Sequence, residues 1–122
     1  MAAANECHLS MNISINGHGI ERVKHAKHWR QRLVGLLTTS KSAFTGIVID
    51  PCNSIHTIGM RYPIDVIFAD SNHVVVKTFK NVRPFKFCLG GRNARYTVEL
   101  PTGSIDKYDI NAGNSFLLNV KD

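Results

Sequence analysis

The chain has 122 residues, 43% of them hydrophobic and 20% charged, which excludes a disordered polymer and leaves room for one domain and no second core. Fifteen Lys and Arg against nine Asp and Glu give a formal charge of +6, a field that attracts polyanions without specifying one. No run approaches the roughly 18 apolar residues that a membrane span needs, and residues 1–8 do not have the charged-then-apolar order of a secretory signal.

Residues 1–8 are read as a flexible N-terminal segment and 9–122 as a single compact domain. Leu9, Met11, Ile13 and Ile15 alternate with Ser10, Asn12, Ser14 and Asn16, the period of a half-exposed strand. Asn16-Gly17-His18-Gly19 is a turn, and Ile20 to Ala26 a return strand. Trp29, Leu33, Leu36 and Leu37 then form one apolar stripe at helical spacing. Phe44 to Asp50 is an apolar, partly β-branched run stopped by Pro51, a buried strand. Ile55 to Ile58 is a further short strand. Ile64 to Ala69 and His73 to Val82 are joined by Asp70-Ser71-Asn72 and predict a hairpin, with Asn72 as the residue suited to the left-handed region. Val82 to Gly91 reads as a loop whose Phe85, Phe87 and Leu89 need cover. Ala94 to Leu100 is a strand broken by Pro101-Thr102-Gly103. One helical turn over Ser104 to Tyr108, a turn at Asn111 to Asn114 and a last strand from Ser115 to Val120 complete the chain.

The segment from Ser54 to Asp70 gathers His56, Arg61, Asp65 and Asp70 between strand-like runs. A His beside a carboxylate is held in one tautomer and works as acid or base near neutral pH. An Arg can hold an anionic group with two hydrogen bonds. Asp65 alternates with Ile64, Val66 and Phe68, so its carboxylate points into a poorly solvated region and needs a donor: Arg61, His56 or backbone amides. The plainer alternative makes Asp65 a brace for backbone amides and His56 a hydrogen-bonded structural residue. Glu99 is either exposed or paired with Arg61 or Arg95.

Other chemistries lack support in the residues. No Gly-x-Ser-x-Gly elbow is present. Cys52, His56, His25 and His28 do not form a zinc ligand set with paired short spacings, so no metal and no cofactor is assigned. Cys7, Cys52 and Cys88 are odd in number and widely spaced, which predicts three reduced thiols and a cytoplasmic protein. Gly90-Gly91 is not followed by the Lys-Ser/Thr of a phosphate loop. Basic residues form two groups. One is Arg22, Lys24, Lys27, Arg30 and Arg32, with His25 and His28 on the same solvated face. The other is Lys77, Lys80, Arg83, Lys86, Arg92 and Arg95, interleaved by Phe85 and Phe87 in a mixture able to stack bases and neutralise phosphates.

Three pieces together resemble the prokaryotic family known as domain of unknown function 192. They are Arg32-Leu33-Val34-Gly35-Leu36-Leu37; Ile55 to Phe68 with Asp70; and Ala94 to Gly103 with Gly113. The resemblance spans residues 20 to 120. It implies a compact β-rich domain with one or two helices and no established activity. Two departures stand out: Thr38-Thr39 replaces the family's usual Gly-Arg, and Gly113-Asn114 its usual Gly-Asp. An Asn ties a loop backbone as an Asp does, without the charge.

The chain is therefore expected to be mainly β, a small mixed sheet or partly closed barrel with one amphipathic helix packed on it. Its expected role is a non-catalytic binding or accessory module with a ligand site at Ser54, His56, Arg61 and Asp65, taking a small anionic ligand or a protein partner. One alternative is an enzyme using His56 and Asp65 in acid–base chemistry. The other is a weak nucleic-acid or polyanion binder acting through the basic surface. An enzyme needs His56 and Asp65 pointing into one concavity; an interaction module shows an exposed apolar patch.

Overall fold

A computed structural model describes residues 10–26 and 45–120. The N-terminal segment and the Trp29–Leu37 stripe lie outside the described residues. The alternating run Met11, Ile13, Ile15 forms β1 (Ser10–Ile15) and returns as β2 (His18–Ala26). Asn16 and Gly17, at φ of 53° and 81°, supply the two left-handed positions of the turn between them. The following strands are β3 (Gly46–Ile49), β4 (Ser54–His56), β5 (Ile64–Asp70) and β6 (Val75–Val82). After them come β7 (Phe87–Leu89), β8 (Ala94–Pro101), the single turn α1 (Ser104–Lys107) and β9 (Phe116–Val120).

Seven strands form one sheet in the order β6-β5-β8-β3-β2-β1-β9, curled into a half-barrel. The β2–β3 pair is parallel and the others antiparallel. The two edge strands meet at one end: the Phe116 amide donates to His73 O at 2.9 Å and Gly113 to Val75 O at 2.7 Å. The rings of His73, Tyr96 and Phe116 pack over that seam, with His73 and Tyr96 stacked at 5.3 Å. The mainly β architecture expected from the pattern is what the chain adopts.

Both faces of the sheet are covered. Met11, Ile13, Ile15, Val23, Val48, Ile67, Val98 and Phe116 fill the concave side with Ile105 and Ile110, which α1 and its following loop carry in. Ile47, Ile49, Ile64, Val66 and Phe68 face the other side, beneath Ile55, Met60 and Cys88. Strands buried on two faces read as unbroken apolar runs, which accounts for β3 and for Val66–Ala69.

Local turn chemistry differs from expectation in one place and agrees in another. In the β5–β6 turn His73, not Asn72, is left-handed, at φ 64°. Asp70 Oδ1 accepts from the amides of Asn72 and Val74 at 2.9 and 3.1 Å, so the carboxylate organises the turn and the position three residues on takes the reversal. At the other turn Asn114 Oδ1 accepts from the Asn111 amide at 2.6 Å, so the uncharged side chain ties the loop.

Candidate functional site

Asp65 begins on β5 with its side chain on the concave side, alternating with Ile64 and Val66 and sharing its face with Ile67. It is 1% exposed. The β5–β6 ladder slips between Ile64 and Val66, and Asn81 sits in that irregularity at φ 51°. Its freed amide donates to Asp65 Oδ1 at 2.8 Å. Asp65 Oδ2 accepts from Gly103 and Ile105 at 3.1 and 2.8 Å, the amides that open α1. Both oxygens are thus taken by backbone donors. Of the three donors named from the sequence, the structure selects the amides.

His56 stands elsewhere. The strands β4 and β7 form a separate two-stranded ribbon with Ser54 opposite Leu89, Ile55 opposite Cys88 and His56 opposite Phe87. Ile55 and Cys88 point down onto the convex face of the sheet, into the cluster of Val66 and Phe68. Period two then turns Ser54, His56, Phe87 and Leu89 outward. The sheet itself stands between His56 and Asp65, so the pair that acid–base chemistry would require is not assembled. His56 Nδ1 instead accepts from the Ile58 amide at 3.3 Å, and its ring meets Phe87 edge-on at 6.1 Å. Arg61 is exposed in the loop after β4, beside half-exposed Tyr62.

Within the stretch read as a covered loop, Phe87–Leu89 is a strand of this ribbon, and the large apolar side chains of the stretch are outside. Phe85, Phe87 and Leu89 are 70%, 72% and 63% exposed, with Ile58 at 43%. The reason is register: with Cys88 as the inward residue, its neighbours on both sides must face solvent. The loop carrying Phe85 is nevertheless firmly built around Thr57, which is fully buried. The Thr57 hydroxyl donates to Arg83 O at 2.7 Å and accepts from the Lys86 amide at 2.8 Å. The Thr57 amide donates to Lys86 O, while Thr57 O accepts from Phe85 and Met60. Phe85 is held at φ 65°, a region that bulky residues avoid.

Gly90 lets the ribbon lie close. A Cβ there would fall 2.4 Å from the Phe68 ring and 2.9 Å from Ala94 Cβ. Gly90→Ala is expected to cost about 1–3 kcal/mol, the usual range for overpacking, read as a lowered urea midpoint with unchanged slope. A neutral effect would mean that the ribbon floats on the sheet. Neither Thr57 nor Gly90 was singled out from the sequence as part of this site. A Gly within a strand-like alternation is the one available signal, since it marks close backbone approach.

The charged residues sort into engaged and unengaged ones. Arg95 Nε pairs with Asp50 Oδ1 at 2.8 Å and Lys80 with Asp106 at 2.7 Å, each pairing raising the pKa of its basic group. Arg61, Arg83, Lys86 and Arg92 are exposed and make no ion pair among the described residues. Lys24, read on a solvated basic face, and Glu99, read as exposed or paired with Arg61 or Arg95, are 1% and 2% exposed. They occupy the convex face on either side of Ile47, Lys24 beside it in β2 and Glu99 opposite it in β8. Central strands covered on both faces leave no solvated side for either. His25 is half-buried, which corrects the solvated placement read for it.

Cys52 and Cys88 are free thiols. Burial, then the Glu99 charge, pushes the Cys88 thiol above its usual range. In the native protein Cys88 is expected to resist iodoacetamide at pH 8 and to react fully in urea; equal rates in the two states would contradict its burial. A raised folded pKa leaves stability intact below the unfolded value near 9.0. Stability is lost as pH climbs through the folded value, so unfolding should grow easier above about pH 9. Among the described residues no three His, Cys, Asp or Glu side chains cluster to hold a metal, and no helix is long and apolar enough to cross a membrane.

The family model of DUF192, described as "Uncharacterized ACR", matches residues 11–117. The chain belongs to this family. A UPF0127 protein of Thermococcus sibiricus is 36% identical over 98 residues, covering 76% of this chain and 63% of its own length. The chain thus accounts for under two thirds of that relative. A UPF0127 protein of Pyrococcus furiosus is 33% identical over 97 residues, covering 75% of this chain and 82% of its own. A crystal structure of a putative transcription regulator from Sinorhizobium meliloti superposes with a TM-score of 0.75 at 19% identity, covering 91% of this chain and 95% of that one. A protein of unknown function from Novosphingobium aromaticivorans gives 0.71 at 16%, covering 88% and 82%. These two structures establish a shared fold. The DUF192 family has no assigned function, and its relatives leave the role of the Ser54–Arg61 segment to be argued from geometry.

Proposed function

We propose that this DUF192 protein is a non-catalytic binding module. Its contact surface is the outward face of the β4–β7 ribbon with the loops at 57–62 and 83–86. Ser54, His56 and Arg61 belong to that surface; Asp65 braces the sheet behind it. The partner is anionic. The observation that carries this reading is the exposure of Phe85, Phe87 and Leu89 on a ribbon whose backbone is tied down through Thr57. An apolar cluster left in water on a rigid support costs solubility, and interaction surfaces are where such clusters occur. Free Cys52 and Cys88 support a reducing, cytoplasmic setting.

The test is amide chemical-shift mapping of the full chain against three anionic probes: sodium polyphosphate, a fifteen-nucleotide thymidine strand, and phosphatidylglycerol bicelles. Saturable perturbations centred on 54–62 and 83–92 are expected with at least one probe. Perturbations centred on the Lys77 or Lys107 side, or no saturation with any probe, would remove the reading.

A further inference from the structure

We propose that this face docks on an anionic lipid bilayer. Phe85, Phe87 and Leu89 enter the boundary between headgroups and acyl chains, and Arg61, Arg83, Lys86 and Arg92 meet the phosphates. The inference rests on the contact surface proposed above and names its partner.

Three features favour a bilayer. The first is the mixture of apolar groups. Ile58 and Leu89 are exposed beside the two Phe rings. Acyl chains reward aliphatic and aromatic burial alike. A single-stranded nucleic acid rewards mainly the stacking of planar rings, which leaves Leu89 and Ile58 unused.

The second is the sign of the charge. Residues 51–64 and 83–94, which build the ribbon and its loops, contain Arg61, Arg83, Lys86 and Arg92 and no Asp or Glu. Two exposed cations elsewhere, Lys80 and Arg95, pair with carboxylates, Asp106 and Asp50. One sign, spread around an apolar centre, complements a uniformly negative plane. Each such cation near an anionic leaflet adds about fivefold in affinity.

The third is the backbone. Leaving water is costly for any unpaired amide or carbonyl. At the tip of the 83–86 loop Pro84 has no N–H. The Phe85 amide is bonded to Thr57 O, and the Lys86 amide to the Thr57 hydroxyl. The carbonyls of Arg83 and Lys86 accept from Thr57. The loop that presents Phe85 therefore enters a low-dielectric boundary with these groups already satisfied.

The experiment is co-sedimentation of the full chain with large vesicles at about 100 mM salt. Vesicles of phosphatidylcholine with a third phosphatidylglycerol are compared with phosphatidylcholine alone. Partition into the anionic vesicles is expected to exceed the neutral by about tenfold or more. The Arg83→Gln/Lys86→Gln pair should lower it about 25-fold, two cations at about fivefold each. The Phe85→Ser/Phe87→Ser pair should lower it about tenfold or more. All four side chains are exposed, so melting temperatures should stay at the wild-type value. Equal partition into both vesicles, or none into either, overturns the bilayer proposal. Partition that neither pair reduces overturns the contact surface as well. Binding of the thymidine strand in place of vesicles, lost in the Phe pair, overturns the bilayer and keeps the surface.

Discussion

Replacing Asp65 by Ala is expected to destabilise the protein by about 3–5 kcal/mol. The substitution strands three amides, those of Asn81, Gly103 and Ile105, at a residue 1% exposed. Each hydrogen bond to a charged acceptor contributes roughly 1.5–3 kcal/mol, and a buried donor left unpaired costs its desolvation. The simple sum is reduced because water can reach the part-buried Asn81 amide. Asp65→Asn should lose less, about 1–3 kcal/mol, because its carbonyl can keep the Gly103 and Ile105 donors while its NH2 opposes that of Asn81. Urea unfolding measures both, and amide exchange at Ile105 should accelerate in the Ala variant. An Ala variant as stable as the wild type would show that this three-way junction of β5, β6 and α1 does not depend on the carboxylate.

Phe68→Ala is expected to cost about 3–5 kcal/mol, the range for a large buried ring. Phe68 is fully buried, meets Phe79 edge-on at 6.0 Å and lies directly under Gly90. Its loss empties the floor on which the β4–β7 ribbon rests. Phe87→Ala, by contrast, should stay within about 0.5 kcal/mol, as exposed positions do, because Phe87 is 72% exposed. The two variants separate the ring that holds the ribbon from the ring the ribbon presents. A large loss at Phe87 would mean that this ring is structural rather than available.

The contrast between those two Phe residues shows where reading along the chain succeeds. Met11, Ile13 and Ile15 alternate with polar residues and become β1 with the expected face inward. The run Gly46–Ile49 and the hairpin from Ile64 to Val82 are legible because buried strands need continuous apolar length. Asp65 is legible as a carboxylate in need of donors, since its neighbours demand a core. Phe85, Phe87 and Leu89 were not legible as exposed. Their hydrophobicity predicts cover; the pairing of Cys88 with Ile55 turns Phe87 and Leu89 out, and the loop tied to Thr57 presents Phe85.

Local pattern by itself determined the β-rich class, most strand positions, the family likeness and the need for a partner at Asp65, because alternation, turn residues and desolvation act over a few residues. Tertiary structure alone decided which donors Asp65 meets, that the sheet separates it from His56, and that Lys24 and Glu99 are covered. It also decided that a ribbon from two distant segments carries a positive rim, without ion pairs among the described residues, around exposed rings. Those outcomes depend on which strands become neighbours and on which side of the sheet a crossing segment falls. Sequence spacing does not encode that choice locally; it follows from packing both faces of the sheet at once.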